Sequence, residues 1–324
     1  MAKPCERQTA DARRGPMMLA WIGRHGPQCM AAGVVIGLVA PPLATTMRPL
    51  LIPSLLVPLV FALVRLDWSA VGAYRRQRAQ VGWLLAWLLV ASPLAVFAAS
   101  AGLVALGMPV ALQQAVVLMA ASSPIVSSVA IALMLGLDPV LALVAVLGAT
   151  ALVPFSLPLL ASTLLGFGLE IALPEFIARL AALVGGAFAA AWALRRFTPL
   201  NRRDAVAVLD AVTVVSLVIF AIAIMDGVSA FAVARPGYAA LAVLLAFTGN
   251  LLLQAAGYAA FRQLGRQAAL TVGLVSGNCN MGLILVALEG RGSFDVTVFF
   301  AIAQLPMYLL PALLQPVYRR VLRA

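Results

Sequence analysis

The sequence predicts an all-α membrane protein of ten transmembrane helices, arranged as two inverted five-helix repeats with helices 4 and 9 broken. Three observations carry that expectation: an apolar composition, basic residues gathered on one side of the helices, and polar interruptions at matching places in the two halves. Of 324 residues, 64% are hydrophobic and 10% charged, and the mean hydropathy is +1.05. A soluble domain cannot cover its surface with so few charges, so the chain is expected in lipid. A hydrocarbon core about 30 Å thick takes about 20 apolar residues per helix. On that measure the chain divides into spans at 28–45, 49–64, 80–101, 109–135, 139–166, 173–194, 205–225, 237–261, 267–288 and 296–317.

The span count is tested by charge. With these spans, Arg48, Arg179, Arg235 and Arg291 fall on one face, and the other 18 of the 22 basic residues fall on the opposite one. A missed or invented helix would flip every later loop and scramble this partition. By the positive-inside rule the chain is a multi-pass protein of the cell inner (cytoplasmic) membrane, with both termini cytoplasmic. The same placement accounts for the net charge of +11 without nucleic acid, for which the sequence offers no motif and no aromatic-basic interleaving. Residues 1–26 are polar and basic, with no continuous apolar stretch and no small-residue cleavage site. They are expected to form a disordered cytoplasmic tail rather than a signal peptide. Cys5, Cys29 and Cys279 follow no disulfide or zinc spacing.

The repeat appears when the halves, 27–167 and 168–324, are compared. Starts at 205, 237, 267 and 296 trail those at 49, 80, 109 and 139 by 156 to 158 residues; only the first pair, 28 and 173, departs. Asp138 and Asp295 precede the last span of each half. An odd number of spans per half makes the second insert upside down, an arrangement common in transporters.

Span four reads as apolar from Pro109 to Ala121, then Ser122-Ser123-Pro124-Ile125-Val126-Ser127-Ser128, then apolar again to Leu135. Pro124 removes an amide donor and clashes with the preceding turn, so a kink or opening is expected. Span nine runs from Ala268 to Val275, meets Ser276-Gly277-Asn278-Cys279-Asn280-Met281-Gly282, and resumes through Leu288. Gly277, Gly282 and the two asparagines weaken helical bonding there. Both interruptions fall near the bilayer midplane. Backbone freed there must be covered by protein or line a wet cavity, where carbonyls can hold a cation or half-helix amino ends an anion. The plainer alternative is a pair of kinks eased by neighbouring helices.

Ten spans, a five-plus-five repeat and breaks in spans four and nine resemble the bile acid:sodium symporter family. Its span-nine stretch, Glu-Val-Gly-Met-Gln-Asn-Ser-Gly-Leu, is matched here at Gly277, Asn280, Gly282 and Leu283; its span-four Pro-Gly-Gly-Thr-Ala-Ser-Asn is matched at Ser127 alone. The run from Asp138 to Pro154 keeps the family's spacing between acidic residue and proline. The resemblance implies that spans four and nine cross at their breaks. It also implies a core domain of spans 3–5 and 8–10, a panel domain of spans 1, 2, 6 and 7, and substrate bound between them. The family's sodium ligands correspond to Val275, Cys279 and Ser128, and to Ala142, Val146 and Leu88, so most of their side-chain oxygens are replaced. The coupling ion therefore stays open between sodium and proton.

Other residues have competing readings. Asp210, about two turns into span seven, is a candidate proton relay if it sits in the membrane, or an interfacial carboxylate near Arg202 and Arg203. Asn250 and Gln254 share a face of span eight near Thr248, as solute ligands or as interhelical hydrogen-bonding groups. Gln113, Gln114 and Gln304 have the same two readings. Cys279 without a second thiol or histidine is a poor soft-metal site. His25 is read as a solvated tail residue, Trp68, Trp83 and Tyr318 as interfacial anchors, and the eleven methionines as packing.

The expected function is secondary transport of an organic anion or amphipathic carboxylate by alternating access, with Ser127, Ser128, Asn278, Cys279, Asn280, Asn250 and Gln254 as candidate ligands. An auxin-efflux-type or arsenite-type carrier is the alternative. A membrane enzyme is disfavoured, because no His-Glu-x-x-His, Gly-x-Ser-x-Gly or intramembrane aspartate dyad is found. A receptor leaves the paired breaks without purpose. The expected partners are a small solute and the lipid bilayer, with no resident cofactor or metal; oligomeric state is open.

Overall fold

Long apolar runs in lipid must satisfy their own backbone groups, and this chain does so with helices. The computed structural model describes residues 26–65, 72, 77–166, 172–198, 203–288 and 292–323, and no strand occurs among them. All of the expected tail except Gly26, with His25, Cys5 and Trp68, lies outside the described residues. Among the described residues, seven helices are long and apolar enough to cross a membrane: Pro41–Val64, Arg78–Ala105, Pro139–Leu164, Leu173–Phe197, Val208–Ala234, Pro236–Leu264 and Phe294–Leu313. Shorter apolar helices, Gln28–Val39 and Val110–Ala121, accompany them. The protein is an all-α, multi-pass membrane protein.

Prolines set several boundaries. Helix α1 (Gly26–Val39) stops short of the expected 45, because Ala40 precedes Pro41 and leaves the helical region at φ −118°, ψ 70°. Pro41 then opens α2 (Pro41–Met47), which runs through a 3-10 turn at Arg48–Leu50 into α3 (Leu51–Val64), so the expected gap at 46–48 is helical. Helix α4 (Arg78–Ala86) continues through a π-turn at Trp87–Ala91 into α5 (Ser92–Ala105). Pro93 donates no amide and would crowd the carbonyl of Leu89, and the wide turn just before it relieves both.

Helices α6 (Val110–Ala121) and α7 (Ser128–Leu135) follow, and Gly136 at φ +74° closes α7 with Leu137 N–H donating to the Ala132 carbonyl at 2.8 Å. Asp138 caps α8 (Pro139–Leu164), its carboxylate accepting from Val140 and Leu141 amides at 3.0 and 2.9 Å. Beyond α9 (Leu173–Phe197) and α10 (Arg203–Ala223), a turn at Gly227, φ +76°, leads into the short helix α11 (Val228–Ala234), which hydropathy alone did not separate. The remaining helices are α12 (Pro236–Phe261), α13 (Arg266–Gly277), α14 (Met281–Ala287), α15 (Phe294–Leu313) and α16 (Gln315–Arg323). Asp295 differs from Asp138: it sits inside the first turn of α15 and pairs with Arg235 at 3.1 Å.

The chain forms two compact units, Met1–Leu66 with Ala187–Gly227, and Asp67–Gly186 with Val228–Ala324. Each draws on both sequence halves, and the cut at 186 falls inside α9. In the first unit, Gly33 and Gly37 bring α1 onto α10; a Cβ at Gly37 would lie 2.8 Å from the Ile222 carbonyl and from Met225 Cβ. Arg48 donates to Asp226 at 2.9 Å, and Thr45 donates to the same carboxylate at 2.7 Å. In the second unit, Arg179 pairs with Glu175 at 2.9 Å. Three of the four arginines assigned by sequence to the sparsely charged face thus have a carboxylate partner; Arg291 lies outside the described residues.

Candidate functional site

Helix α6 ends at Ala121, and α7 begins at Ser128; α13 ends at Gly277, and α14 begins at Met281. The two interruptions, both within the second unit, lie against each other as a short antiparallel pair centred on Pro124 and Cys279. Ile125 N–H donates to the Asn278 carbonyl at 2.8 Å, and Asn280 N–H donates to the Ser123 carbonyl at 2.7 Å. Each opening therefore supplies hydrogen-bond partners that the other has lost, which is how non-helical backbone persists in a buried place. The carboxyl ends of α6 and α13 and the amino ends of α7 and α14 meet at this crossing.

The main chain of the crossing is paired: the Asn278 carbonyl accepts the Ile125 amide, and the Ser127 carbonyl accepts from Ile131 at 2.9 Å. Several side chains beside it are not. Asn278 is 0% exposed, and neither its Oδ1 nor its Nδ2 has a hydrogen-bond partner among the described residues. The same holds for the hydroxyls of Ser123 and Ser128, both 0% exposed. An unpaired buried polar group costs about 1–3 kcal/mol, so three such residues around one crossing form a concentration of unmet hydrogen-bonding capacity.

Glycines set how closely the site is held. Helices α12 and α13 form a hairpin whose turn includes Gly265 at φ +91°. Gly273 and Gly277, four residues apart on α13, face α12 with no room for a side chain. A Cβ at Gly273 would lie 2.6 Å from the Gln254 carbonyl, and one at Gly277 2.6 Å from Gln254 Cγ and 2.8 Å from Asn250 Oδ1. Gly257 answers from α12, where a Cβ would meet Ser276 Oγ at 2.6 Å. Small residues four apart let membrane helices approach this closely.

This approach engages both polar residues of α12. Asn250 Nδ2 donates to the Gly277 carbonyl at 2.8 Å, Gln254 Nε2 donates to Asn250 Oδ1 at 2.6 Å, and Tyr318 Oη donates to Gln254 Oε1 at 2.5 Å. Of the two readings of Asn250 and Gln254, the interhelical one describes the bonds observed. Tyr318, expected as an interfacial anchor, is instead 4% exposed and terminates this line. Burial raises its phenol above the ordinary range, which keeps the hydroxyl a donor. From the π-turn, Trp87 Nε1 donates to Ser276 Oγ at 2.9 Å, and Ser276 donates in turn to the Val272 carbonyl at 2.7 Å.

The remaining predicted residues are distributed as follows. Pro124, Ser128, Cys279, Asn280 and Gly282 are buried at or beside the crossing, while Ser127 is half-buried there. Cys279 donates its thiol to the Ser276 carbonyl at 3.3 Å. Gln304 donates to the Phe300 carbonyl and accepts from Tyr308, within and along α15. Asp210 belongs to the other unit, where its half-exposed carboxylate is hydrogen-bonded by Arg65. Arg65 is thus its described partner; Arg202 and the Arg203 side chain lie outside the described residues.

Sequence reasoning missed Ser123, Trp87, Gly257, Gly273 and the role of Tyr318. The Gly273-Leu-Val-Ser-Gly277 spacing was a usable signal. Nothing in sequence announced the Trp87–Ser276 bond. No protein-family model matches the sequence, and no curated protein matches it.

Proposed function

We propose that the chain is a secondary carrier of the bile acid:sodium symporter type, with ten crossings in two inverted five-helix halves. Its solute is an organic anion or amphipathic carboxylate, moved by alternating access across the inner membrane, with both termini cytoplasmic. The observation that carries this reading is the reciprocal pairing of two interrupted helices around the buried, unpartnered Asn278 side chain. A purely structural kink needs neither an amide without partners nor a second break to meet it. Discontinuous helices with opposed termini are the means by which carriers place fixed dipoles at the centre of a bilayer.

Two further observations support the reading. The two compact units draw on spans 1, 2 and 7, and on spans 3–5 and 8–10, which is the panel and core grouping that the resemblance implies, with α9 divided between them. The second is the division of basic residues, 18 on one face of the ten expected spans and 4 on the other, which the positive-inside rule reads as an orientation with both termini cytoplasmic. The positions of the family's sodium ligands hold Val275 and Cys279, which favours a carrier of the auxin-efflux type as the second reading.

The test is a thermal-shift screen of the purified chain against bile acids, small carboxylates and auxin-like acids, with and without sodium and at two pH values. Uptake of the stabilising solute into proteoliposomes follows. A carrier accumulates solute in a way that a sodium or proton gradient accelerates. Binding without accumulation identifies a receptor and rejects the proposal.

A further inference from the structure

The last helix of the chain has two faces of opposite character. On α16, Tyr318 is buried and Val321 and Leu322 are half-buried, with Leu322 Cδ1 3.9 Å from where a Cβ on Gly136 would lie. Arg319, Arg320 and Arg323 are exposed and line a shallow recess with Pro316. Among the described residues, no carboxylate is ion-paired with any of the three. Three guanidinium groups within one and a half turns repel one another, and no Asp or Glu occurs between Asp295 and Arg323.

The position of α16 selects the counter-charge. Helix α15 has 20 residues and is about 30 Å long, the thickness of a hydrocarbon core, and only Leu314 separates it from α16. A helix of nine residues cannot cross, so α16 starts where the hydrocarbon ends. Gln267 Nε2 donates to the Gly136 carbonyl at 3.2 Å, which brings the α12–α13 turn, with exposed Arg262 and Arg266, to the same end of the unit. Phosphates at this depth belong to lipid headgroups.

The buried face of α16 is tied to the crossing. Tyr318, Gln254 and Asn250 form an unbroken line of hydrogen bonds of 2.5, 2.6 and 2.8 Å that ends on the Gly277 carbonyl, the last residue before the break in span nine. Whatever holds α16 docked therefore also biases the arrangement at Gly277, and the linkage is reciprocal.

We propose that Arg319, Arg320 and Arg323 bind the phosphate groups of anionic phospholipids, and that lipid-held α16 stabilises the break in span nine through Tyr318, Gln254 and Asn250. The claim does not depend on the chain being a carrier. Each arginine beside an anionic surface is worth about fivefold in affinity, so three together contribute about a hundredfold.

Cys279 provides the readout, because it is buried in the break at 2% exposure. In a Cys5→Ser, Cys29→Ser background, the full chain is reconstituted into vesicles of phosphatidylcholine alone or mixed with phosphatidylglycerol, and maleimide labelling of Cys279 is timed. Phosphatidylglycerol should slow labelling about fivefold or more. Combined R319Q, R320Q and R323Q should abolish that slowing and reduce the phosphatidylglycerol that co-purifies. Tyr318→Phe should abolish the slowing while keeping the lipid. Equal labelling of the parent in both vesicles overturns the proposal, and this arm needs no variant to fold. Slowing that survives in the triple arginine variant overturns the assignment to α16, and slowing that survives in Tyr318→Phe overturns the hydrogen-bonded link. An equal effect of inorganic phosphate in phosphatidylcholine vesicles overturns the assignment to lipid.

Discussion

Replacing Gly277 by alanine tests whether the crossing is held by backbone contact between α12 and α13. The new Cβ would stand 2.6 Å from Gln254 Cγ, 2.8 Å from the Asn250 carbonyl and 2.8 Å from Asn250 Oδ1. Ordinary contact needs more than 3.4 Å, so the helices must separate by roughly 0.6 Å or more. Overpacking of this kind costs about 1–3 kcal/mol. The 2.8 Å bond from Asn250 to the Gly277 carbonyl lengthens with it, and interhelical bonds in membranes are worth about 0.6 kcal/mol on average. The sum, about 2–4 kcal/mol, corresponds to a fall in Tm of roughly 4–16 °C if each kcal/mol shifts Tm by 2–4 °C as in soluble chains of 150–250 residues. Gly186→Ala is the control, since a Cβ there meets nothing within 4 Å, and alanine is the better helix former by about 1 kcal/mol. Thermal unfolding of both variants in detergent should move in opposite directions. A Gly277→Ala protein with the Tm of the parent, or one that follows Gly186→Ala upward, refutes the close approach.

Two further substitutions separate stability from function. Asn278→Ala removes a side chain that makes no hydrogen bond, so Tm should hold or rise while the initial rate of solute uptake falls about tenfold or more; unchanged uptake would show that the amide serves no solute or ion. Asp210→Asn loses one half-exposed ion pair with Arg65, worth about 0–1 kcal/mol, so Tm should change little. The proton-relay reading of Asp210 requires that uptake by this variant, measured across pH, lose its pH dependence, and a profile identical to that of the parent removes that reading.

Much of this architecture was legible because lipid enforces simple rules. Apolar length located the helices to within a few residues, whereas Pro41 and Pro93, inside the expected spans 28–45 and 80–101, set a new helix start and a π-turn that the span reading did not contain. The interruptions at Pro124 and at Gly277 to Gly282 were readable for the same reason, since residues that weaken helical bonding in mid-span have few other uses. The boundary of α1 and the separate helix α11 were less legible, because hydropathy averages over a turn that Ala40 or Gly227 makes within one or two residues.

What the chain alone fixed was its medium, the approximate position of its helices and where two of them open, all consequences of local composition and local bonding. Tertiary structure decided what those openings meet. Only when Ile125 faces Asn278 and Ser123 faces Asn280 does freed backbone become paired backbone, leaving the side chains of Asn278, Ser123 and Ser128 without partners among the described residues. Contacts over such sequence distances depend on which glycine faces which carbonyl, and Gly273 and Gly277 against Gln254 and Asn250 carry that information in three dimensions rather than in hydropathy.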